Sequence, residues 1–148
     1  MADFVFNIAK GKVAYYATLP AASDALIVVP IETTGLEADA TLKDYDTLAL
    51  ALAGTSNEQV SNMTRKTLAS VTVTPNDSSE WMDVDAADVT WTAATGNAIS
   101  ALWICYDGDT GAGTDADIIP LVNLACVMTP DGSDFTAQFA TAGFFRAT

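Results

Sequence analysis

Between Ala98 and Tyr106 the chain is apolar on both faces of an extended strand. Ile99, Ala101, Trp103 and Cys105 fall on one face; Leu102, Ile104 and Tyr106 fall on the other. Side chains alternate across a strand, so this segment has no face to offer to water and belongs mid-sheet or between two layers. Ala25 to Ile31 reads the same way, with Pro30 placing its end near a sheet edge because proline cannot donate to a ladder. Half of the 148 residues are apolar, which argues against disorder. That length fits a single domain, 1–148, able to bury about 68–70% of its unfolded surface.

Further strand signals surround these two runs. Phe4 to Ile8 reads as a short strand, followed by a Lys10-Gly11-Lys12 turn; Val13 to Leu19 is open between strand and short helix, and Pro20 ends it. Thr67 to Thr74 and Val89 to Thr92 alternate as half-exposed strands do, with a turn cluster at Pro75 to Ser79. Ile118 to Leu121, Leu124 to Met128, Phe135 to Phe139 and Phe144-Phe145 continue the pattern, broken by the Pro130-Asp131-Gly132-Ser133 turn and by Gly143. Strands thus recur at intervals of roughly 8–15 residues in the second half, which favours an antiparallel sandwich or barrel over a parallel sheet. One helix is expected over residues 42–53. Thr41 and Asp44 resemble a capping box, Leu42, Tyr45, Ala49 and Leu52 share a face, and Gly54 stands where a left-handed cap would close it. The expected fold is therefore mainly β with one helix, a β-rich α+β domain.

Charge narrows the partners. Nineteen acids face six cations (Lys10, Lys12, Lys43, Arg65, Lys66 and Arg146), a net charge of -13. Nucleic acid and anionic membranes both need clustered cations, and these six are scattered, so neither partner is expected. The first residues carry Asp3 and no long apolar core, so a secretory signal is not expected, and Ala25 to Ile31 is too short to span a bilayer. Folding in a cytosol is the expectation. Cys105 and Cys126 lie in apolar runs and read as buried free thiols.

Histidine is absent, which removes Ser-His and Cys-His nucleophilic constellations and the commonest metal ligand. No phosphate-binding glycine loop is followed by Lys and Ser/Thr. The chain is therefore read as not an enzyme, without cofactor or metal. The best alternative is the loop bearing Asp107, Asp109, Asp115 and Asp117, whose carboxylates could serve calcium; its spacing departs from an EF-hand at Ile118, and it reads better as a solvated turn-rich loop. Asp83, Asp85 and Asp88 read as an exposed strand edge guarded by charge. Trp91 and Trp103 fall on core positions, while Trp81 lies in a polar turn region and is the aromatic expected at a surface.

The segments Asp88-Val89-Thr90-Trp91-Thr92-Ala93-Ala94-Thr95-Gly96-Asn97-Ala98, Cys105-Tyr106-Asp107, Asp117-Ile118-Ile119-Pro120-Leu121, Val127 to Phe135 and Ala142-Gly143-Phe144-Phe145 resemble small virion structural proteins of tailed bacteriophages, in particular those of actinobacteria. Phe4 to Val13 and Thr34 to Leu42 are similar to them too. The resemblance implies a structural protein without an active site, so no functional residues carry over from it. It implies a capsid decoration protein, a head fibre or a minor tail protein; a compact, acidic, cofactor-free domain favours decoration on the outer surface of the head, partnered by the major capsid protein and a homo-oligomer, with a trimer the natural symmetry. A minor tail or collar protein of the same particle is the alternative, and a carbohydrate- or receptor-binding β-domain is a third. Phe4, Phe6, Trp81, Phe144 and Phe145 are the expected interface residues: Trp81 as an exposed aromatic, the others as apolar groups near the chain ends, which are expected to pack against neighbours.

Overall fold

The computed structural model describes residues 1–140 and 142–148. Its centre is a five-stranded antiparallel sheet ordered β1-β8-β7-β2-β3. These strands are β1 (Phe4–Val5), β2 (Ala25–Glu32), β3 (Lys66–Thr67), β7 (Ile99–Asp107) and β8 (Ile118–Met128). β7 lies between β2 and β8, with Val29 opposite Trp103 and Trp103 opposite Asn123, so the strand apolar on both faces is indeed mid-sheet. β2 is buried from Ala25 to Ile31. The Pro30 carbonyl accepts from the Gln59 amide on the side away from β7. Proline's missing N–H therefore faces an edge that β3 has already left, which is where a sheet tolerates it.

One face of this sheet packs on two smaller antiparallel sheets and a helix. The first small sheet is ordered β10-β5-β4, from β4 (Thr72–Asn76), β5 (Trp81–Asp85) and β10 (Phe145–Ala147); the second pairs β6 (Val89–Trp91) with β9 (Phe135–Ala137). The helix α1 (Val13–Thr18) resolves the open reading of that segment. Leu26, Val28, Leu102 and Ile104 of the central sheet meet Val13, Val84, Trp91 and Phe144 here. The opposite face packs on α2 (Asp39–Leu42) and α3 (Leu48–Ala53): Ile27, Val29, Ile31 and Trp103 meet Leu42, Leu48 and Ala51. The result is a β-rich sandwich-like architecture with short helices, and no closed barrel among the described residues.

The single expected helix is two short ones. Thr41 caps nothing; Thr47 is the N-cap of α3, its hydroxyl accepting from the Leu50 amide at 3.3 Å. The intervening chain is drawn elsewhere: the Asn7 side chain donates to Asp44, the Asn7 amide to the Lys43 carbonyl, and the Tyr45 hydroxyl to Glu37. The helical face buried on the core is consequently Leu42, Leu48 and Ala51, while Tyr45, Ala49 and Leu52 stay half-exposed. Gly54 has an ordinary φ of -76°, so it is not the left-handed cap expected there, and an added Cβ would crowd the Glu37 carboxylate.

Other expected elements shift too. β1 stops at Val5, and Asn7–Ala9 form a 3-10 turn. The stretch from Thr67 to Thr74 is divided between β3 and β4. Pro75 and Asn76 belong to β4, so the hairpin turn covers residues 77–80; Pro75 is tolerated because β4 is an edge strand. Asp83 and Asp85 lie on β5, the middle strand of its sheet rather than an edge, because β10 returns to pair with it.

Both chain ends are tied within the molecule. The Ala2 amide donates to Asp39, the Asn123 side chain donates to the Ala2 carbonyl, and Asp3 accepts from the Ala125 amide at 2.7 Å. At the other end Phe145 to Ala147 pair with Met82 to Val84.

Candidate functional surface

The four phenylalanines expected at an interface all find partners inside the chain. Phe6 is fully buried and meets Trp103 edge-to-face at 5.6 Å; Phe144 is buried against Phe139 at 5.5 Å. These two are core, which corrects their expected surface role: the short terminal strands turn inward once β1 and β10 are hydrogen-bonded. Phe4 and Phe145 are half-buried, the first under the Lys43 ammonium at 5.1 Å from its ring centre. Trp91 and Trp103 are core residues as expected, at 1% and 0% exposure. Each indole is satisfied, Trp91 by the Thr64 carbonyl and Trp103 by the buried Asn123 side chain at 2.9 Å.

Trp81 is half-buried, beside the turn of the β4–β5 hairpin and opposite Asn76. The Arg146 guanidinium lies 3.9 Å from its ring centre, and Asp83 holds that guanidinium through two bonds of 2.6 and 3.0 Å. This pairing lowers the Asp83 pKa and raises that of Arg146. Among the described residues the buried Trp81 indole N–H makes no well-formed hydrogen bond, though after Arg146 it adds to the pull that holds the Asp83 pKa down. Beside it lies a cleft of about 420 Å³, bounded by the hairpin residues Asp77, Glu80, Trp81 and Met82 and by Thr148. A second hollow of about 570 Å³ runs between α1 and β4 over Ala17, Pro20, Leu68, Val71 and Val73, with no charged side chain to orient a ligand.

The acidic loop does not assemble an ion site. Asp107 and Asp109 accept backbone amides of their own loop, from Asp109 and from Gly111 and Ala112. Asp117 accepts from the Thr114 amide and then its hydroxyl, which hold its pKa down. Asp115 turns away to Arg65, which also binds Glu58 through two bonds of 2.7 and 2.6 Å. The bonds to Arg65 lower the Asp115 pKa, and both carboxylates raise that of Arg65. No group of three or more His, Cys, Asp or Glu side chains among the described residues is arranged to hold a metal ion. Asp85 binds the Ala86 amide and Asp88 the Phe139 amide, so these acids too serve turns and strand ends.

Sequence reasoning missed several surface groups. Val127 is 86% exposed at the far end of β8, beyond the reach of β1, and Tyr15, Leu50 and Val60 are also exposed. Val127 gave no sign of it, because its burial depends on where β1 stops; Tyr15 and Leu50 lie on the outer faces of α1 and α3, and Val60 in irregular chain. Tyr16 packs on Tyr106 at 5.2 Å, and the Tyr106 hydroxyl donates to Asp24 at 2.7 Å. Burial, then this bond, pushes the Tyr106 pKa up to about 12, while the Tyr106 hydroxyl and next the Ala21 amide lower that of Asp24. Both cysteines are free, Cys105 buried and Cys126 half-buried, and desolvation raises both thiol pKa values. Among the described residues no helix is long and apolar enough to cross a membrane.

No family model matches the chain, and no curated protein or solved structure matches it.

Proposed function

We propose that this chain is a non-enzymatic structural subunit of a tailed-phage virion, a decoration protein on the outer surface of the capsid. The carrying observation is electrostatic. Against nineteen acids there are six cations, and four of these are engaged: Arg65 and Arg146 by carboxylates, Lys43 and Lys66 over the rings of Phe4 and Trp91. Such a surface is repelled by packaged DNA and is compatible with the outside of a shell. The resemblance of its strand and turn segments to tailed-phage virion proteins supports the same reading. Chain ends tied into sheets also suit a compact subunit displayed in many copies.

The proposed partners are the major capsid protein and further copies of this chain, a closed trimer being the symmetric solution. Apolar groups available to them are the half-buried Phe4, Trp81 and Phe145 and the exposed Val127. The test is a copy-number count in purified virions by quantitative mass spectrometry against the major capsid protein. A near-stoichiometric ratio, or one trimer per local symmetry axis, is expected. A handful of copies per particle moves the chain to the tail or collar, and absence from virions overturns the structural reading.

A further inference from the structure

We infer that the cleft at the β4–β5 hairpin is a binding site for a neutral sugar residue, with Trp81 as its stacking surface. The inference assigns Trp81 to a small ligand in place of a protein partner, and it does not depend on a role on a capsid.

The cleft joins an aromatic wall to polar acceptors. Trp81 and Met82 supply apolar surface, and Asp77, Glu80 and Thr148 supply carboxylate and hydroxyl oxygens around it. A pyranose has this dual character: a face of C–H groups that stacks on an aromatic ring, and a rim of hydroxyls that donate to carboxylates. The platform is pre-positioned. Arg146 lies on the Trp81 ring and is locked by Asp83, and Asp83 and Arg146 are directly opposed across β5 and β10. Pre-positioning lowers the ordering cost of binding a small ligand.

The charges define the class. Among the described residues the cation on the ring is Arg146, which Asp83 occupies, and no Lys or Arg lines the cleft to receive a phosphate or carboxylate ligand. A quaternary ammonium prefers several aromatic faces around it, whereas here there is one tryptophan whose ring already carries a guanidinium. A neutral sugar needs neither a free cation nor an aromatic cage, and stacks on the part of the Trp81 ring that lines the cleft rather than on the face Arg146 covers.

Tryptophan emission gives a selective readout, because Trp91 and Trp103 are shielded from solvent. The purified chain is titrated with neutral oligosaccharides of glucose, galactose, mannose and N-acetylglucosamine, with choline as the cationic control. A saturable emission change in the millimolar range for at least one sugar, insensitive to salt, is expected. Amide NMR shifts at Asp77, Glu80 and Thr148 should accompany it. By the same shifts, Trp81→Ala should weaken binding about tenfold or more, and Trp81→Phe and Glu80→Gln by smaller factors. The Trp91 and Trp103 near-ultraviolet signal verifies that each variant is folded. If no sugar moves either the emission or these amides, the inference fails. It fails equally if choline binds, sugars do not, and salt abolishes the response.

Discussion

Two arginines anchor this molecule, and they do so in different currents of the same physics. Arg65 is clamped between Glu58 and Asp115, seven and fifty residues away, with 29% of its side chain exposed, Glu58 at 12% and Asp115 at 39%, so the sheltered bond is the one to Glu58. Arg146 binds the single carboxylate of Asp83 directly across a strand pair, at 36% and 22% exposure, and rests on Trp81. The first ties the Asp107–Asp117 loop to the irregular segment before β3; the second only reinforces strands already hydrogen-bonded. Removing a guanidinium from a partly buried site strands its carboxylates, whereas an exposed pair is screened by water and contributes little. Position in the fold, more than the number of bonds drawn, should set what each is worth.

The largest effect is therefore expected from Arg65→Met. It leaves Glu58 and Asp115 facing each other without a cation, at a cost of about 2–3 kcal/mol. Urea unfolding should show a lower midpoint with an unchanged slope. A loss under about 0.5 kcal/mol would mean that solvent reaches this network as freely as it reaches Arg146.

Acid titration sharpens the contrast. Asp115 and Asp83 have folded pKa values held below the ordinary carboxylate value by Arg65 and Arg146 respectively. The unfolded chain, with carboxylates near about 3.9, then binds more protons than the folded one as pH falls. The stability each pair contributes is present above that value and is lost as pH drops through the lowered folded value. Arg65→Met should flatten the acid branch of the stability curve through Asp115, and Arg146→Ala through Asp83. Tyr106 acts at the other end: its pKa of about 12 exceeds the ordinary value of 10.0, so its contribution is complete below pH 10.0 and is lost as pH rises toward about 12. Tyr106→Phe should remove that alkaline decline, and tyrosinate absorbance follows the titration directly.

These networks also mark how far the sequence could be read. β7 and β2 were legible because a run apolar on both faces admits one placement in a sheet, and the Pro130–Ser133 turn because Gly132 takes a φ of +91°. The helix expected over 42–53 was not, because Asn7 and Glu37, distant in sequence, recruit Asp44 and Tyr45 and break it before Thr47. Trp81 was picked out as a surface aromatic, yet Arg146, sixty-five residues later, carries no local sign that it will cover the ring. Asp115 likewise resembles its loop neighbours in sequence; only the fold separates the acid that meets Arg65 from those that cap turns.

Arg146→Ala is expected to lower the urea midpoint least, because it breaks a single water-screened pair and removes the cover over Trp81. Thiol labelling of the native protein localises the difference. Cys105 is fully buried near the Arg65 cluster, whose charges act on its thiol, while Cys126 is half-buried on β8 and should react first. In Arg65→Met, local opening around the cluster should speed Cys105 labelling; in Arg146→Ala that rate should stay at the wild-type value, because β5 and β10 lie against the other core. Equal acceleration in both variants would mean that Cys105 is reached only by global unfolding, and that the two arginines belong to one cooperative unit rather than to two.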